Sequence, residues 1–305
     1  MGLTLILAMK KFPRNSRNRK GKPGHPDRPS RASSDERAGQ THGPESRQDS
    51  RREGSSQNRG ASRRNSFGSA PRRPRLSREV AVLYEDDAVI VLNKPAGLLA
   101  VPIKGSDVPS ALSLLIAELK PRRQRALVVH RIDRFASGIL LFAKTDRDRD
   151  SLIRQFLAHT PVRKYLAMVR GRLKQESGTL VHYFRREGMY QQLRTVRDPE
   201  AARAELRYSV ERAFADATLV RVELVTGLQN QIRAQFSAMG HPLIGDRKYH
   251  RKEAEEQLID RVALHAEHLE FVHPRTEERI VIECAPPQDF HKLIQHLSRS
   301  QHSRR

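Results

Sequence analysis

The stretch Val128–His159, "VVHRIDRFASGILLFAKTDRDRDSLIRQFLAH", carries two apolar strand patterns, a charged loop between them and a helix behind. Ala126–Val129 and Ile139–Ala143 read as strands, because short apolar runs bounded by turn residues pack into sheets. From Asp146 the pattern becomes helical, with an acidic first turn that suits the helix dipole and apolar Leu152, Ile153, Phe156 and Leu157 at helical spacing. The loop holds His130, Arg131, Asp133 and Arg134, followed by Ser137 and Gly138. Asp133 therefore sits at a turn between two buried segments, where a Ser-Gly pair lets backbone approach a ligand closely.

Working outward, strands dominate. "EVAVLYEDDAVIVLNKPAGLLAV" gives strands at Val80–Tyr84 and Ala88–Leu92 and a turn at Pro95–Gly97. "PSALSLLIAELK" is a helix with a Ser at its start. "VRKYLAMVRG", "TLVHYF", "RAELRYSVERAF" and "ATLVRVELVTG" read as further strands. "QNQIRAQFSAMG" is a helix closed by Gly240, "RVALHAEHLEFVHP" and "RIVIECAPP" are strands, and "QDFHKLIQHL" is a closing helix. Runs of strands with few helices between them predict an α+β domain on a mixed or antiparallel sheet. Its expected span is 79–297, followed by a basic tail at 298–305.

Residues 1–78 differ in kind. They hold 20 basic and 6 acidic side chains and are rich in Ser, Gly, Asn, Gln and Pro. Such a segment buries too little to offset its ordering entropy, so it is expected to be a disordered Arg-rich arm. The arm is either an attractor for RNA or a solubilising tail. "MGLTLILAMKK" places its lysines behind the apolar stretch, unlike a signal peptide, and Met9 offers an alternative start.

The chain of 305 residues carries a net charge of +22, which calls for a polyanionic partner, and by charge alone nucleic acid and an anionic membrane surface both qualify. No apolar run of membrane-spanning length occurs, so no membrane partner is expected. One cysteine, Cys284, excludes a disulfide framework, fits a reducing cytoplasm and rules out a cysteine-based metal site. No paired-histidine motif is present either, so no metal is expected. "HRIDR" has a kinase-like look, but no asparagine follows at the required spacing and no glycine-rich phosphate loop exists. A carboxylate among arginines, Tyr165 in a basic strand and Arg233 on a helix fit chemistry on a flipped nucleobase. In such a site the carboxylate acts as nucleophile or base, while arginines hold phosphates.

Four ordered motifs give this chain a family likeness. His130-Arg131-Ile132-Asp133-Arg134-Phe135-Ala136-Ser137-Gly138 resembles the H-R-L-D-x-x-[ST]-S-G motif of the RluA-type pseudouridine synthases. "LYEDDAVIVLNKPAGLLAVP", "KYLAMVRG" and "GLQNQIRAQFSAMGHPLIGD" are similar to that family's other blocks, and together they cover Val80 to Leu297. The resemblance implies isomerisation of uridine to pseudouridine in ribosomal or transfer RNA, by a monomer and without cofactor. It implies Asp133 as the essential carboxylate, Arg233 as its partner and Tyr165 as the ring that stacks on uracil. His130, Arg131 and Arg134 would contact substrate, Arg131 by filling the gap left by the flipped nucleotide. Leu141 or a neighbour, and Ile232, would be apolar walls. The chain also departs from the pattern. Ala136 replaces a hydroxyl residue, His250 stands where glycine is common, and Leu228-Gln229-Asn230 replaces an arginine-containing triplet that ends in histidine. A catalytically silent RNA-binding or ribosome-assembly protein is the competing expectation from this third departure.

Overall fold

The computed structural model describes residues 80–249 and 259–302. The arm at 1–78, Met9 and His250 lie outside the described residues. Eleven strands form one sheet: β1 (Ala81–Glu85), β2 (Val89–Lys94), β3 (Leu127–Val128), β4 (Ser137–Ala143), β5 (Val162–Arg170), β6 (Ser177–Glu187), β7 (Tyr190–Arg194), β8 (Ala202–Ala213), β9 (Ala217–Leu224), β10 (Leu264–Val272) and β11 (Arg279–Glu283). Four α-helices accompany them: α1 (Ala111–Leu119), α2 (Asp146–Leu157), α3 (Gln231–Ala238) and α4 (Gln288–His302). The α+β expectation thus matches the fold. Among these helices, none is long and apolar enough to cross a membrane.

The main path of the sheet runs β1-β2-β4-β10-β5-β9-β8-β6-β7, with β3 beside β4 and β11 beside β10. Every pairing is antiparallel except that of β4 with β10. β10 is the seam between two halves. Its first residues pair with β4 at His265–Ser137 and Ala266–Gly138, and its later residues turn to β11. Its other edge pairs with β5, where Ala266 stands opposite Tyr165. Lys94, Gly138, Ala266, Tyr165 and Val222 consequently lie in one row across the sheet.

Helices bury both sides of the central strands. On β4, Leu140 and Phe142 pack with Leu115 and Leu119 of α1, while Ile139 and Leu141 pack with Leu152 of α2. On β5, Tyr165, Ala167 and Val169 pack with Ile232 and Phe236 of α3, while Leu166 and Met168 pack with Phe290 and Leu293 of α4. The helix starts follow local chemistry. Ser110 and Ser113 form a reciprocal capping box on α1, and Thr145 Oγ1 accepts from Asp148 N–H on α2.

Two boundaries differ from the sequence reading. α4 continues to His302, because residues 298–302 contain no glycine or proline to stop it. β7 was not expected, since "YQQLR" is polar. It forms as the return strand of a hairpin turned by Gly188 at φ +59° and pairs with β6, which is longer than its apolar core.

Gly138 is held at φ +109°, and a Cβ there would meet Ala266 O at 2.2 Å. No side chain fits at this crossing of β4 and β10. Gly138→Ala is expected to lower the unfolding free energy by at least about 2 kcal/mol, measured by urea denaturation.

Candidate active site

The row across the sheet brings distant residues together. The loop His130–Ala136 leads into β4, so the β4–β10 pairing sets it beside β5 and Tyr165. β9 feeds through Val225–Asn230 into α3, which carries Arg233. Gln231 shapes that connection: its Oε1 accepts from Leu228 N–H and from the Thr226 hydroxyl, and its Nε2 donates to Glu205 O.

Arg233 Nη1 donates to Asp133 Oδ2 at 3.3 Å, across a hundred residues of sequence. The guanidinium is anchored elsewhere. Nε and Nη2 each donate to an oxygen of Asp246 at 2.7 Å, a bidentate pair in which the Asp246 side chain is fully buried. Nη1 also donates to Asn230 Oδ1 at 2.9 Å. Burial works to lower the Arg233 pKa, but Asp246, with Asp133 adding, overcomes it and holds the cation above its usual range. Burial likewise opposes ionisation of Asp246, and Arg233 with the N–H groups of Lys248 and Tyr249 reverses this.

A cavity of about 590 Å³ opens over the pair. Ile132, Asp133, Ala136, Tyr165, Ile232, Arg233 and Leu264 line its inner part, and Arg131, Tyr183 and Arg203 also reach it. Tyr165 is buried. Burial pushes its hydroxyl pKa up, Arg163 draws it down and Asp133 raises it again. The cavity thus joins a carboxylate, a cation, a neutral aromatic ring and apolar walls, which suits a planar base turned out of a polyanion.

Three expected residues stand differently. Leu141 is not a wall of the cavity: it is fully buried under α2 with Val89, Leu152 and Leu269. Arg134 is exposed and does not line the cavity. Its Nε donates to Gly97 O at 2.9 Å and Gly97 N–H donates back to Arg134 O at 2.8 Å, clasping two loops. His130 borders the cavity, but its ring stacks on Phe156 at 4.7 Å and its Nε2 accepts from Leu141 N–H at 3.1 Å. Burial, with Arg163 adding, lowers its pKa to about 3.

Lys94 went unread in the sequence. It is fully buried, and Nζ donates to four carbonyls: Pro95 at 2.8 Å, Leu98 at 2.9 Å, Arg134 at 3.0 Å and Ala136 at 2.7 Å. The last two follow Asp133 in the loop, so Lys94 fixes the turn on the C-terminal side of the carboxylate. Burial lowers its pKa to about 7, against the pull of Asp133. Four surrounding acceptors nevertheless match an ammonium with three N–H groups better than an amine with two.

With this geometry in hand, the comparisons with known proteins are decisive. Residues 88–238 match the family model described as RNA pseudouridylate synthase. An RNA pseudouridine synthase of Bacillus subtilis (strain 168) is 34% identical over 227 residues, which are 73% of this chain and 74% of the relative. This chain belongs to the RNA pseudouridine synthase family. Such synthases are isomerases. Ribosomal large subunit pseudouridine synthase C of Escherichia coli (strain K12) is 35% identical over 71% of the synthase chain and 69% of its own. Synthase D of Zymomonas mobilis is 32% identical over 71% and 72%. Human RNA pseudouridylate synthase domain containing 4 shares the fold, with a TM-score of 0.60 at 21% identity over 72% of the synthase and 93% of the human chain. The departure at Asn230 gains a structural meaning too. Asn230 takes φ +56°, a conformation asparagine tolerates, and its side chain serves Arg233 directly.

Two outcomes follow from these contacts. Lys94→Met strands four carbonyls and is expected to cost about 3 kcal/mol by urea denaturation, with activity falling alongside. His130 is neutral in the fold, while in the unfolded chain it takes a proton near its usual 6.5. The unfolded state therefore binds more protons below that value, and stability falls as pH drops from 6.5 toward about 3. His130→Gln keeps an acceptor for Leu141 N–H without a titrating group, so urea midpoints across that window should depend less on pH than in the parent.

Proposed function

We propose that this synthase isomerises a uridine of large-subunit ribosomal RNA, with Asp133 as the carboxylate that attacks or deprotonates the ribose at C1′ or C2′. The observation that carries this reading is the Asp133–Arg233 contact inside a cavity walled by Tyr165 and Ile232. The RNA class is supported by relatives named as ribosomal large subunit synthases C and D. In both routes the uracil leaves C1′ with the electron pair and turns. If Asp133 attacks, its oxygen takes the place of N1 and is displaced when C5 bonds to C1′. If Asp133 is the base, the C2′ proton moves to it, a C1′–C2′ double bond forms, and the proton returns to C2′ as C5 adds to C1′. The C5 proton is then lost and N1 gains one.

The residues divide the work. Arg233 holds one Asp133 oxygen through a single long bond, which leaves the other oxygen for the ribose. The Tyr165 ring replaces the stacking that the flipped base gives up. Ile132 and Ile232 bound the base pocket. Exposed Arg131 stands at the edge of the cavity, suited to the vacated position in the RNA or to its phosphates. The basic balance of the chain adds non-specific attraction to RNA.

Asp133→Asn keeps the shape and removes the charge. Pseudouridine formation is expected to fall about 100-fold or more, while RNA binding stays near the parent level. Mapping of pseudouridine in total RNA from cells carrying the parent gene, the variant or neither reads out both the activity and the site. Unchanged modification by the variant would refute the role of Asp133, and sites confined to transfer RNA would refute the ribosomal assignment.

A further inference from the structure

Arg163 is a buried cation without an acid. It is 9% exposed, and among the described residues no carboxylate lies within ion-pair distance. Its Nη2 donates to the carbonyls of Leu224, Val225 and Thr226, each at 3.3 Å, and its guanidinium lies 5.7 Å from the centre of the Phe156 ring. Nε is buried with no hydrogen-bond partner. Among the described residues Nη1 meets no acceptor, and a side chain at Gly227 would approach it to 2.8 Å. Gly227 and Arg163 both line the cavity, so the missing side chain leaves room beside Nη1. A charge taken out of water without a counter-ion is costly in the free protein. The three carbonyls and the Phe156 ring offset part of that cost, and an anion beside Nη1 would offset more.

We infer that Arg163 is a further catalytic residue, whose Nη1 donates to a carbonyl oxygen of the uracil and stabilises the negative charge that develops when the base detaches. This rests on the reading of the cavity as a uridine site. Arg163 and Tyr165 are two apart on β5 and both line the cavity, so the cation stands next to the ring on which the base stacks. When the C1′–N1 bond breaks, its electron pair stays on N1 and spreads onto O2 and O4. A fixed N–H donor beside either oxygen strengthens as that charge grows, in the manner of an oxyanion hole. Arg163 transfers no proton. C5 then bonds to C1′ with that electron pair, which leaves the ring neutral, and the C5 proton departs as N1 takes one up from solvent. A phosphate is the poorer occupant, because Arg131 and Arg203 offer exposed cations at the same cavity and Arg163 does not.

The test compares leaving groups. Large-subunit ribosomal RNA is transcribed with uridine or with 5-fluorouridine, whose fluorine stabilises the departing anion by withdrawing electrons. Single-turnover cleavage of the C1′–N1 bond is followed by chromatography of digested RNA. Arg163→Met is expected to lose about 100-fold on uridine with little change in KM, and under about tenfold on 5-fluorouridine. Equal losses on both RNAs would reduce Arg163 to a strut for the Leu224–Thr226 carbonyls and overturn the inference. A defect confined to KM and deepened by salt would assign it to phosphate and overturn it as well. If Arg163→Met does not fold, Arg163→Lys keeps a cation under those carbonyls and is judged by the same ratio. A parent protein that modifies neither transcript would refute the uridine-site reading itself, a different failure from equal losses in an active enzyme.

Discussion

The site depends on how one guanidinium is shared. Asp246 takes two short bonds from Arg233 and is itself fully buried, so the strong ion pair belongs to a residue remote from the reacting atoms. Asn230 occupies one Nη1 hydrogen, and Asp133 receives the other at 3.3 Å. A carboxylate tied by two short charge-assisted bonds would be stable and inert. The arrangement instead places a firmly held positive charge beside Asp133 while leaving the carboxylate loosely bound, with one oxygen free of Arg233, as the role proposed for it requires.

The Asp133 loop is positioned by backbone capture more than by side-chain pairing. Lys94 holds the Arg134 and Ala136 carbonyls that follow it, the Arg134–Gly97 clasp pins its flank, and Gly138 lets the strand behind it pass against β10. These restraints converge from β2, the Pro95–Gly97 turn and the seam. The carboxylate's position is therefore a property of the packed sheet, consistent with the need for catalytic groups to be held within a fraction of an ångström.

Much of the fold is readable from sequence, and the reasons for the gaps are physical. Apolar runs and glycine breaks mark most strands, and capping serines and threonines mark helix starts. β7 escapes because its residues are polar and only its partner makes it a strand. Leu141 misleads because every residue of β4 is buried, so no alternation tells which side faces the cavity. Arg131 and Arg134 look equivalent around Asp133, yet the turn between them sends one to the cavity and the other to Gly97. Asp133, Tyr165 and Arg233 stand out in sequence as a carboxylate among arginines, an aromatic in a basic strand and an arginine on a helix, and all three line one cavity. Asp246 as the main partner of Arg233, and the carbonyl cage of Lys94, do not stand out, because nothing in chain order signals either contact.

The place of β10 at the seam has a consequence for how the protein is made. Nearly everything that lines the pocket, from Val129 to Arg233, is translated before β10, yet the strands of the two halves join into one sheet only through that late strand. A nascent chain that has not yet released it carries the reactive groups on two unjoined sheets. The pocket is thus incomplete on a chain still being built, and competence waits for β10 to clear the ribosome.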